Sequence, residues 1–150
     1  MSITILLDTG PLGLLTHPSS SPGNKLCNQW LTNHLANGNV VLVTGISDYE
    51  LRREYFRRNN QPSLNKLNTL KKTIGYIPID EVTMIEAAKL WALARNMNKA
   101  TASDAALDGD MILSAHARIL SATQPNVIVA TTNVKHLTHF CNADIWQNII

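Results

Sequence analysis

Cysteine, aromatics and long hydrophobic runs are all scarce in this chain. Its two cysteines, Cys27 and Cys141, are far apart and form no CxxC pair. A disulfide-framed secreted fold is therefore not indicated. A reduced, cytoplasmic protein is the simplest reading, with one Cys27–Cys141 disulfide as the alternative. No stretch approaches the roughly 20 apolar residues that span a bilayer, so no membrane segment is expected. The N-terminus, MSITILLD, has no basic region and reaches an acid after about five apolar residues, unlike a signal peptide. Charge is thin as well: 13 Lys and Arg face 11 Asp and Glu, for a net of +2. That excess is too small to argue for nucleic acid by itself, so the placement of charge matters more than its sum. No GxxxxGK[ST] and no GxSxG occurs, which removes P-loop nucleotidases and the serine-hydrolase elbow. Internal repeats and low-complexity blocks are missing too.

What remains is ordinary globular composition, 45% apolar over 150 residues. That suits a single domain, 1–150, with one sizeable core. Ile3 to Leu7 is a short β-branched run closed by Asp-Thr-Gly-Pro, which predicts a buried strand running into a turn. After a loop at HPSSSPG, Leu26, Trp30, Leu31 and Leu35 recur at helical spacing, and Gly38 marks a stop. Val40 to Val43 predicts a second buried strand. The helix that follows carries Ile46, Tyr49, Glu50, Arg53 and Phe56. Pro62 and Ser63 open a helix with Leu64, Leu67 and Leu70. Tyr76 to Ile79 predicts an edge strand because it contains Pro78. Asp80 or Thr83 starts a helix through Ala88, Trp91 and Ala94, and a loop is expected over Asn96 to Ser103. Asp108 to Leu120 predicts a helix, Val127 to Ala130 a third buried strand, and Ala143 to Trp146 a last short one. Apolar strands alternating with amphipathic helices indicate an α/β domain with a parallel sheet.

In such sheets ligands bind beyond the C-terminal strand ends. Here those ends are acidic. Asp8 follows the first strand. Glu50 lies on the helix after the second. Asp108 and Asp110 stand at the expected start of a later helix, and Thr131, Thr132 and Asn133 follow the third strand. Converging carboxylates repel one another and stay ionised only beside a cation. Oxygen donors without His or Cys select Mg²⁺ or Mn²⁺ over zinc. Such ions can activate water and stabilise the leaving oxygen of a phosphodiester. Each acid also has a plainer role: Asp8 as a turn cap, Glu50 as a partner of Arg53, Asp108 or Asp110 as a helix N-cap. Joint placement, not any single residue, carries the functional reading.

These residues resemble the PIN-domain ribonucleases, of the kind found as toxins of VapBC toxin–antitoxin pairs. The likeness runs over almost the whole chain. LLDTGPL (6–12), ISDYELRR (46–53), ALDGDMILSA (106–115) and VATTNVKHL (129–137) resemble the family's four motifs in order. The resemblance implies a PIN-like three-layer α/β/α sandwich with a central parallel sheet. It implies Asp8, Glu50 and Asp110 as principal Mg²⁺ or Mn²⁺ ligands and Asp108 as an auxiliary acid. Asn133 stands where many members have Asp; its amide can orient a water but adds no charge. Thr9 and Thr131 would support ligands or phosphate, and Arg52 and Arg53, flanking Glu50, would bind the RNA backbone. The implied reaction is endoribonuclease hydrolysis, and the implied partners are RNA, a small antitoxin protein and a second copy of the chain.

Other assignments are weaker. A haloacid-type phosphatase needs an Asp where Gly10 stands, and a phospho-accepting receiver needs an acidic pair beside Asp8. His136, His139 and Cys141 lack a second ligand pair at zinc-finger spacing. His116 reads as a hydrogen-bonded core or rim histidine, and Trp30, Trp91 and Trp146 as core. The apolar stripes around Leu64, Leu67, Leu70 and Trp91 read first as core and second as an interface. The main alternative is a PIN-like domain of weak catalytic power that binds RNA or protein as an adaptor. Such a domain would be expected to have lost an acid, and here all three principal acids are present.

Overall fold

In the computed structural model, residues 2–97, 104–134 and 137–150 are described, with backbone alone for 104–106. The elements run β1 (Thr4–Leu7), α1 (Thr9–Thr16), α2 (Pro22–Ala36), β2 (Val40–Thr44), α3 (Gly45–Arg57), α4 (Gln61–Ile74), β3 (Tyr76–Ile77), α5 (Glu81–Asn96), α6 (Asp104–Ser121), β4 (Val127–Thr131) and β5 (Ala143–Ile145). One sheet of order β3-β2-β1-β4-β5 forms, and every strand pair is parallel.

The strands alternate which face each side chain meets, and both faces are covered. Ile5 and Leu7 point with Val41 and Val43 toward Leu12, Leu15, Trp30, Leu31, Leu64 and Leu67 of α1, α2 and α4. Leu6 and Val129 point the other way, toward Leu113 and Ala117 of α6. A strand buried on both faces needs a continuous apolar run, as TILL and VIVAT supply. Outside α6, α5 packs Ala87, Leu90 and Ala94 on Leu107, Met111 and Ala115. The architecture is the expected α/β/α sandwich.

Most boundaries follow from local chemistry. Ser21, Asn60 and Asp80 cap α2, α4 and α5 by accepting backbone N–H bonds from Asn24, Ser63 and Thr83. Gly38, φ 80°, and Gly75, φ 108°, supply the left-handed backbone just past α2 and at the end of α4. β3 stops before Pro78 and lies at the sheet edge, as a proline-bearing strand should.

Three expectations are corrected, and a fourth is only partly covered by the described residues. The turn after β1 is a helix: α1 begins at Thr9, with Asp8 as its N-cap. The helix expected from Asp108 begins at Asp104, so Asp108 and Asp110 lie inside α6 and cap nothing. Most of the loop expected over Asn96 to Ser103 lies outside the described residues, although Asn96 itself closes α5. Trp30 and Trp146 are core and touch edge to face, but Trp91 is 37% exposed. A tryptophan at helical spacing fits a core face, yet only the partner helix decides which flank is covered.

His116 is buried, as expected of a core histidine, but among the described residues neither ring nitrogen has a hydrogen-bond partner. Burial lowers its pKa to about 4, against a smaller upward pull from Asp80. The folded state therefore binds the proton less well than the unfolded chain. Stability should fall as pH drops from about 6.5 toward 4, by roughly 2–3 kcal/mol. Thermal melts across that window should show the slope in the wild type, and His116→Leu should flatten it.

Candidate functional site

β1 is the central strand, flanked in register by β2 and β4: Leu7 lies beside Val43 on one side and Ala130 on the other. The strand order reverses here, because β2 and β3 lie on one side of β1 while β4 and β5 lie on the other. Crevices at the carboxyl ends of strands open at such reversals. A cavity of about 220 Å³ opens there, lined by Asp8, Thr9, Gly10, Glu50, Asp110, Thr131, Thr132 and Asn133.

Asp8 is fixed three ways. Its amide donates to the Ala130 carbonyl at 2.9 Å. Its Oδ1 accepts the Thr9 amide at 2.7 Å as the α1 cap, and its Oδ2 accepts the Thr131 hydroxyl at 2.7 Å. Thr131 is the last residue of β4 and is buried. Glu50 comes from the second turn of α3, and its Oε1 accepts the Thr9 hydroxyl at 2.9 Å. The partner of Glu50 is thus Thr9 rather than Arg53. Thr9 ties two acids together, giving its amide to one and its hydroxyl to the other.

α6 supplies the third wall. Gly109 lies against Glu50: a Cβ there would stand 3.0 Å from Oε2. At Gly10 a Cβ would meet the Thr132 side chain at 2.5 Å. Both glycines let a neighbouring side chain approach more closely than a Cβ would allow. A glycine inside a helix costs about 1 kcal/mol relative to alanine. Asp108-Gly109-Asp110 could therefore have been read as a sign of close approach.

Asp8, Glu50, Asp110, Asn133, Thr9 and Thr131 thus share one cleft. Asp108 does not line it: it is exposed and lines a separate cavity with Met84, Ala87, Ala88, Trp91 and Ile112. On a helix, residues two apart point to different sides. Among the described residues, those lining the acidic cleft include no Lys, Arg or His. Three carboxylates with hydroxyl and amide oxygens around one cavity suit a hard divalent ion. The side chains are not drawn into one knot, however: among the described residues no three His, Cys, Asp or Glu groups stand together closely enough to hold an ion. That is compatible with Mg²⁺, which keeps several waters and takes one or two carboxylates directly.

The basic residues expected near Glu50 divide. Arg52 is held by Asp48 in a two-pronged pair at 2.8 and 3.2 Å, and Lys71 of α4 reaches the same carboxylate at 3.5 Å. Lys71 also lies over the Tyr76 ring, 3.9 Å from its centroid. Asp48, 7% exposed, therefore clamps α3 to α4 and to the edge strand. Burial and the Asp48 charge raise the Tyr76 phenol above its usual range. Arg53 is exposed and lies over the Tyr49 ring.

The cysteines are free thiols, and burial raises them to about 12 at Cys27 and about 11 at Cys141. His136 lies outside the described residues, and His139 contacts Phe140 edge to face.

Three solved structures share this fold over nearly the whole chain. A chain of VapBC2 from Rickettsia felis, bound to a DNA fragment from their promoter, matches with a TM-score of 0.70 and 14% identity, covering 96% of this chain and 99% of that one. A chain of VapBC-1 from nontypeable Haemophilus influenzae matches at 0.67 and 17% identity, covering 97% and 99%. A chain of DNA-bound VapBC from Salmonella typhimurium matches at 0.63 and 13%, covering 96% and 98%. The fold is the PIN-like one that the motifs implied. No family model and no curated protein matches the sequence.

The Asp48 clamp gives a direct expectation. Asp48→Ala strands two cations on a largely buried surface and should lower stability by about 2–3 kcal/mol, measured by urea denaturation.

Proposed function

We propose that this chain is a Mg²⁺- or Mn²⁺-dependent endoribonuclease acting as the toxin of a toxin–antitoxin pair. One observation carries the reading: Asp8, Glu50 and Asp110, far apart in sequence, line one cleft at the reversal of a PIN-like sheet, with no cation among the described lining residues. The likeness to VapBC complexes supports it at the level of fold.

Asp8, Glu50 and Asp110 would hold the ion, directly or through its waters. When bound, a divalent ion supplies Lewis acidity: it neutralises phosphate charge and acidifies water. The chain's own residues do the positioning. Thr131 and the Thr9 amide fix both oxygens of Asp8, so its carboxylate would receive an ion with little reorganisation. Thr9 turns Glu50 toward the same space and leaves Oε2 facing Gly109. Asn133 offers an amide oxygen or N–H₂ to water or a phosphate oxygen at the cleft mouth. Asp108, exposed on the neighbouring cavity, acts at most from the rim.

The proposed partners have a surface of their own. Val82, Met84, Ile85 and Leu93 of α5 are 46–61% exposed, and Met97 just beyond it is 51% exposed. Aliphatic and Met side chains on one helix suit a protein contact. We assign the second copy of the chain to this face. The antitoxin would then cover the acidic cleft. Leu64 and Leu67, by contrast, are buried against the sheet.

Asp8→Asn, Glu50→Gln and Asp110→Asn should each reduce cleavage of single-stranded RNA by at least about 100-fold. Excess EDTA should abolish wild-type cleavage. Wild-type rates in any of these variants, or in EDTA, would contradict the assignment and favour the adaptor. Gly109→Ala separates site from fold. It should leave the melting temperature equal or higher, by up to about 1 kcal/mol of helix propensity. It should nevertheless slow cleavage, because its methyl displaces Glu50.

A further inference from the structure

The chain has few aromatic residues, and its two most exposed rings share one helix. Phe56 is 62% exposed and Tyr49 is 55% exposed, both on α3. Tyr49, Arg53 and Phe56 stand at i, i+4 and i+7, one face of the helix, about 10 Å from end to end. The Arg53 guanidinium lies 5.1 Å from the Tyr49 ring centroid, and no ion pair holds it among the described residues. Arg57 and Arg58 are committed to Glu54 on the flank. The face starts next to Glu50, whose carboxylate lines the acidic cleft.

We infer that Tyr49, Arg53 and Phe56 form a stacking track that carries single-stranded RNA along α3 to the cleft, its bases resting on the two rings and a phosphate on Arg53. The inference rests on the nuclease reading and names its substrate class. Rings with a cation between them are the means by which proteins hold unpaired nucleotides without reading sequence. Paired bases bury their faces in the helix stack and offer nothing to Tyr49 or Phe56. The contrast with α5 sets the occupant apart. The α5 face is mainly aliphatic, with the exposed Lys89 among Val82, Ile85 and Leu93, as a protein contact allows. The α3 face holds no exposed aliphatic side chain and includes Arg53, a cation that no ion pair holds among the described residues. Because Asp8, Glu50 and Asp110 repel phosphate, RNA needs attraction from a neighbouring surface, and Arg53 is next to Glu50's helical turn.

The test is fluorescence anisotropy with a labelled single-stranded RNA of about twelve nucleotides, in EDTA so that binding is read without cleavage. Tyr49→Ala and Phe56→Ala should each weaken binding between about five- and a hundred-fold, whereas Tyr49→Phe and Phe56→Tyr should retain it. Arg53→Gln should reduce the salt slope by about 0.7. Affinity for a duplex of the same sequence should not move. Single-strand affinity within about two-fold of wild type in both alanine variants overturns the track, as does an equal loss on the duplex. So does a change confined to self-association or protein capture, which would make the face a protein contact. The two readings fail separately. Normal cleavage with unaltered variant affinity sinks the track alone. Loss of RNA through these variants, with no cleavage by the wild type in Mn²⁺, sinks the nuclease alone.

Discussion

The amide of Asp8 donates to the Ala130 carbonyl, and that bond holds an acid at the point where β1 ends between two parallel neighbours. Everything at the site is referred to this position. β2 and β4 flank β1 in register, so the chain leaving each strand emerges at the same level. Thr131 emerges from β4 and gives its hydroxyl to Asp8. α3 leaves β2 and brings Glu50 back toward Thr9. A parallel sheet whose order reverses at its centre thus concentrates negative charge at one edge, which the N-terminus of α1 relieves only at Asp8. The charge has a destabilising cost, offset by the apolar strands behind it, whose Ile5, Leu6 and Leu7 are fully buried.

Polar residues at this edge do two jobs. Asp8 is at once the N-cap of α1 and a wall of the cleft. Thr9 begins that helix and bridges two carboxylates. Acids used in this way are pre-aimed: the bonds from Thr9 and Thr131 set the direction in which their carboxylates face the cavity. The Asp48 clamp is a different use of charge. There Arg52 and Lys71 satisfy the carboxylate, and the result holds α3 on α4 and leaves no vacancy for a ligand.

Much of this was legible in the residues. Short β-branched runs ending in polar residues located the strands, and strand-end acids located the cleft. The failures share a cause: spacing along one element does not say what packs beside it. Asp108 and Asp110 looked like helix caps because the helix was placed from Asp108 onward, yet α6 starts at Asp104 and turns them to different sides. Leu26 fits a helical stripe but is 65% exposed, since the sheet covers the neighbouring face through Cys27, Trp30 and Leu31. Trp91 was lost for the same reason. The bond from Thr9 to Glu50 joins residues 41 positions apart, and no local pattern encodes it. Gly109 was the missed local clue, a helix-interior glycine between two acids.

The central claim is that the cleft between the ends of β1 and β4 holds a divalent cation. Crystals soaked in Mn²⁺ and measured for its anomalous signal test it most directly. The account predicts a peak in the cavity bounded by Asp8, Glu50 and Asp110, lost in Asp110→Asn. A Mn²⁺ peak elsewhere on the protein with this cavity empty would contradict it.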